Sequence, residues 1–147
     1  MEHELFFDGN LKEYSWSIKT VKEIINQIRE HPPAYLSGGK LEIKNNQESR
    51  FVALHVGIYW GIGVFIIKDF DKILVMCYSK EMYKILIQQH KTLNQIIDDK
   101  IYFINQLVGH RNLKLEYCLI EPTKNIATKH LSGENKTYVP RDSRGFV

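Results

Sequence analysis

The chain has 147 residues, 44% hydrophobic and 25% charged, the make-up of one globular domain with a real core, and this excludes global disorder. Its net charge of +3 is unevenly placed: residues 122–147 hold five Lys or Arg against two acids, and the preceding 121 carry 15 of each sign. A neutral body argues against a dedicated nucleic-acid binder, which concentrates basic residues on one face.

The amino-terminal "MEHELFFDGN" starts acidic and lacks the basic-then-apolar order of a secretory signal, so the expected location is cytoplasmic. In "SIKTVKEIINQIREH", Ile18, Val21, Ile24, Ile25 and Ile28 recur at helical steps, and Thr20 and Glu23 have capping-box spacing. The periodicity predicts a helix over 18–30, stopped by the prolines at 32 and 33. "KLEIK" at 40–44 alternates as a short strand, and "NNQES" carries turn chemistry.

The stretch from Phe51 to Ile67 contains no Asp, Glu, Lys or Arg, and it holds His55 and three glycines. As a helix its 17 residues would span about 25 Å, short of the roughly 30 Å hydrocarbon core of a bilayer, so no membrane span is expected. Gly57, Gly61 and Gly63 lack the spacing of a dinucleotide or triphosphate loop. The β-branched and aromatic content predicts instead two core strands joined near Trp60–Gly63. "KILVMCYS" adds a strand after the acidic turn "DFD". Residues 80–108 carry a helical stripe as one helix or two, with Gly109 a C-cap candidate, and "NLKLEYCLIE" at 112–121 alternates as a last strand. After Pro122 the composition is that of a polar, basic arm or tail.

The expected architecture is α+β: an antiparallel sheet of about five strands, with an N-terminal helix and a long helix in the C-terminal half packed on one face. Residues 1–121 would form a single domain and 122–147 the tail. Cys77 and Cys118 read as free thiols in a reducing compartment, and neither has a second Cys or His at zinc-ligand spacing. No metal or cofactor is expected. Two triplets, "HVG" at His55 and "HLS" at His130 with Ser132, faintly resemble the paired motifs of two-histidine phosphoesterases, which implies an acid–base role for His55 and His130 and phosphate binding by Ser132. Phe51, His55 and Tyr59 on one strand face, the neighbouring Trp60, and Arg141 and Arg144 in the tail are the candidate partner-binding residues, because aromatics and Arg anchor interfaces.

The order of "WSIKTVKEIINQIREHPP", hairpins, and "IIDDKIYFINQLVGHRNLKLEYCLIE" resembles small bacterial immunity proteins of polymorphic or contact-dependent toxin systems. That resemblance implies a non-enzymatic protein that neutralises a toxin by occlusion. A viral anti-defence binder of a host component and a small phosphodiesterase using His55 and His130 are the alternatives. In the leading reading the partner is a protein, and nucleic acid is unlikely except through the basic tail.

Overall fold

The computed structural model describes residues 1–131. It opens with three strands, β1 (Glu2–Gly9), β2 (Glu13–Lys19) and β3 (Ile24–Glu30). Helix α1 (Asn46–Gly63) leads to β4 (Lys72–Cys77), which is followed by α2 (Lys80–Gln88), α3 (Gln95–Arg111) and β5 (Lys114–Leu119). Short 3-10 turns lie at Pro33–Tyr35, Pro122–Lys124 and Ile126–His130. The five strands form one sheet in the order β3-β2-β1-β4-β5. The β1–β2 and β2–β3 pairs are antiparallel, and the β1–β4 and β4–β5 pairs are parallel.

The fold is thus α+β with five strands, but the sheet is mixed rather than antiparallel, and strands rather than a helix come first. The expected helix over 18–30 is a hairpin. The Thr20 N–H donates to the Glu23 carbonyl at 2.9 Å, closing the turn between β2 and β3. Val21, which completed the helical stripe, sits at the tip and is 84% exposed. The spacing misled because β3 is an edge strand with no buried position, half-buried at Ile25, Gln27 and Arg29 on one face and exposed at Ile24, Asn26 and Glu30 on the other, so its Ile residues need not keep to one face.

The chargeless stretch is the second correction. It forms most of α1, whose flanks meet the sheet on one side and α3 on the other. A helix covered on two sides reads as uniformly apolar. Gly57 and Gly61, one turn apart, let it lie close to the sheet. A Cβ at Gly57 would stand 3.2 Å from Trp16, and one at Gly61 2.6 Å from the Cδ1 of Ile67. Leu5, Trp16, Ile18, Leu54 and Ile73 are fully buried between them.

The remaining strands β4 and β5 fall where the alternation placed them. Residues 80–108 divide into α2 and α3, with Gln89 taking a left-handed C-cap at φ 58°. Among the described residues no helix is long and apolar enough to cross a membrane.

Candidate functional site at the carboxyl end of the sheet

β1, β3, β4 and β5 all end on the same side of the molecule, and α1, α2 and α3 all begin there. Each helix is capped by its own side chain: Asn45 accepts from the Glu48 N–H, Ser79 from Met82 and Asn94 from Ile97. Carboxyl ends of parallel strands are where open sheets of this kind hold ligands.

Asp8 lies at the centre of this end. The register Phe6↔Met76, carried two residues further, sets it opposite Tyr78. Asp8 Oδ1 accepts from the Gly9 N–H at 2.8 Å, the Tyr78 hydroxyl at 2.8 Å and Arg50 Nε at 3.1 Å. Oδ2 accepts from the Thr128 hydroxyl at 2.6 Å. Burial, followed by the neighbouring Asp8 charge, pushes the Tyr78 phenol up to about 12, which keeps it a protonated donor. The Arg50 guanidinium also stands 4.8 Å from the centre of the Tyr78 ring.

Glu48, another buried acid at this end, is 5% exposed and turned to structural use. One of its oxygens accepts from the Lys44 N–H and the other from Asn94 Nδ2, both at 2.7 Å, so it ties the start of α1 to the start of α3. Thr128 reaches Asp8 because the Ile126–His130 turn packs on β1 and β2. Ser15 Oγ donates to the Ala127 carbonyl at 2.7 Å, and Asn125 Nδ2 donates to the Phe7 carbonyl at 2.9 Å. Ser15 alternates with Trp16, the residue beneath α1, so this turn covers the opposite face of the sheet.

The donor set does not suit a divalent cation. A carboxylate offers about four lone-pair sites; at Asp8 three donors, one of them a guanidinium, crowd Oδ1 and the Thr128 hydroxyl takes one side of Oδ2. Among the described residues no group of three His, Cys, Asp or Glu is placed to hold a metal ion.

The residues singled out from sequence lie elsewhere. His55, Tyr59 and Trp60 share the wall of a pocket on the outer half of α1, whereas Phe51 is fully buried in the core. His55 is helical, stacked on Phe103 at 5.5 Å. His130 is exposed on the 3-10 turn of the other face, so the facing strands of a two-histidine site do not exist here. Ser132, Arg141 and Arg144 lie outside the described residues. Sequence reasoning missed Asp8, Arg50, Tyr78 and Thr128. The usable signal was "FFDGN", an acid closing an apolar run before a Gly-Asn turn, together with the capping-box spacing of Asn45 and Glu48 in "NNQES".

No family model and no curated protein matches the chain. Solved structures do. Ribonuclease H1 from the halophilic archaeon Halobacterium salinarum superposes with a TM-score of 0.67 at 14% identity, over 88% of this chain and 93% of that one. The N-terminal RNase H domain of a Mycobacterium tuberculosis protein, solved as a fusion with maltose-binding protein, gives 0.65 at 11%, over 88% and 95%. LC11-RNase H1, solved in complex with an RNA/DNA hybrid, gives 0.58 at 12%, over 87% and 91%. These neighbours overturn the immunity-protein resemblance, whose element order began with a helix. The toxin-inhibitor, anti-defence and phosphodiesterase readings fall with it. The expectation of a protein partner, with nucleic acid unlikely except through the basic tail, is corrected likewise, since one neighbour was solved bound to a hybrid. The fold of this chain is that of ribonuclease H.

Proposed function

We propose that the chain binds a nucleic-acid strand, with an RNA/DNA hybrid the leading candidate, across the carboxyl end of its sheet, and holds it without metal-assisted hydrolysis. The observation that carries this is the state of Asp8. Nucleases that use metal ions need convergent carboxylates with free lone pairs, and here Asp8 is occupied by Arg50, Tyr78 and Thr128. Binding is supported by the fold and by what surrounds Asp8. Three helix N-termini, which favour phosphate, converge on this end. Exposed Lys12, Lys44, Lys80 and Lys129 lie in or beside its loops and would contact the backbone rather than bases. The free thiols Cys77 and Cys118 suit a reducing compartment such as the cytoplasm.

The test is fluorescence anisotropy with labelled RNA/DNA hybrid, double-stranded RNA, double-stranded DNA and single strands at several salt concentrations, alongside gel assays of each with magnesium or manganese. Binding that weakens with salt while the strands stay intact supports the reading. Cation-dependent cleavage that Asp8→Asn abolishes, or no binding at low salt, removes it.

A further inference from the structure

The pocket beside the outer half of α1 is separate from the Asp8 cluster. It encloses about 510 Å³, within the range of small-molecule sites. Its floor comes from the β2–β3 hairpin, one wall from the last three turns of α1, and its lip from the Pro33–Tyr35 turn and from α3. Tyr35, Tyr59 and Trp60 give it aromatic walls, and Arg29 and Lys100 stand on its lining; among the described residues no carboxylate lines it.

The two cations are held in place. The Arg29 guanidinium stands 5.3 Å over the Trp16 ring. Lys100 Nζ donates to the Tyr35 hydroxyl at 2.9 Å and lies 5.3 Å from that ring's centre. Among the described residues Lys100 is in no ion pair. His55 lines the same wall, with its Nδ1 buried away from the open space and without a hydrogen-bond partner among the described residues. Burial and the charge of Lys100 hold the ring well below its ordinary value, at about 4, so it is neutral at pH 7. Tyr59 is 64% exposed at the mouth. A groove of about 590 Å³ near His90 and Lys91 is less selective, because Asp98 and Asp99 there oppose its cations.

We infer that this pocket binds a small planar aromatic anion of the nucleoside monophosphate class. The ring lies against Tyr59 and Trp60, and the anionic group meets Lys100. Aromatic walls select a flat ring, and Lys100, in no ion pair among the described residues, favours an anion. The inference does not depend on strand binding at Asp8.

The chain has two tryptophans, Trp16 in the core and Trp60 in this pocket, so tryptophan emission reports on the site. The full chain is titrated with the four nucleoside monophosphates, their nucleosides, inorganic phosphate and an aromatic carboxylate such as anthranilate. The expected result is saturable quenching by at least one nucleoside monophosphate, with its nucleoside about tenfold weaker and phosphate alone silent. Lys100→Met and Tyr59→Ala each weaken it about tenfold with unchanged circular dichroism and melting, and Lys100→Arg restores it. Saturation by anthranilate alone keeps the site but overturns the assignment to nucleotides. No saturation by any aromatic anion up to about 5 mM, or undiminished binding by folded Lys100→Met and Tyr59→Ala, overturns the inference.

Discussion

Arg50 Nε meets Asp8 Oδ1 at 3.1 Å while its guanidinium lies 4.8 Å from the Tyr78 ring centre, so one side chain neutralises the acid and covers the phenol that also bonds it. Asp8 is 3% exposed, and a buried carboxylate stripped of its cation is costly. Arg50→Ala is expected to lower unfolding free energy by about 2 kcal/mol and Tyr78→Phe by about 1 kcal/mol. Urea unfolding of both and of the double variant gives the coupling; strict additivity would mean that the three groups do not act together.

The same cluster can be converted. Tyr78→Asp and Thr128→Asp place two carboxylates where donors to Asp8 now stand, and Arg50→Ala removes the competing cation. The triple variant is expected to gain several degrees of melting temperature in millimolar manganese, about the scale of a ligand well above its Kd. The parent chain should not respond. A parent that is equally stabilised would show that Asp8 already accepts a cation.

Acid should destabilise the protein early. Burial holds both His31 and His55 at about 4, below their ordinary 6.5. The unfolded chain therefore takes up more protons between these values, so the contribution is complete above 6.5 and is lost as pH falls toward 4. Asp71 adds a loss further down. Burial raises its carboxyl, but the Lys68 N–H, His3 and the amino terminus together outweigh this and hold it low. Urea midpoints measured from about pH 7.5 to about pH 5 should decline, and His31→Gln with His55→Gln should flatten the slope. A flat profile in the parent would refute neutral burial of these rings.

The two glycines of α1 should respond differently to alanine. At Gly57 the new methyl meets the rigid, fully buried Trp16, and a loss of about 1–2 kcal/mol is expected despite the better helix propensity. At Gly61 the near atoms are the Cδ1 ends of Ile67 and Ile18, which can turn aside, so the change should lie within about 1 kcal/mol of zero. Chemical denaturation ranks the pair; a reversed order would mean that Trp16 gives way more easily than the isoleucines.

What the sequence revealed followed burial. β4 alternates strictly between buried and half-buried positions, and α2 has one clear apolar stripe, so their periods were readable. β1 and β2 are covered on both faces and α1 on two sides, so their patterns lost the period that distinguishes strand from helix. Once the chargeless run was excluded as a bilayer helix, a buried soluble helix of similar length remained, and Gly57 and Gly61 were its packing surface rather than its turn. The Asp8 cluster was illegible for another reason. Its members are 42, 70 and 120 residues from Asp8, and two of them, Tyr78 and Thr128, are residue types that announce no chemistry.

The sheet order has a kinetic consequence. β1 meets β2 across a three-residue turn, but its other edge waits for β4, about seventy residues later in the chain. Closing so long a loop is slow compared with zipping a hairpin. The β1–β2–β3 meander therefore has the means to form first, leaving one edge of β1 unpaired until α1 has crossed over and delivered β4. During that interval the strand bearing Asp8 is the part of the chain most open to pairing with another molecule.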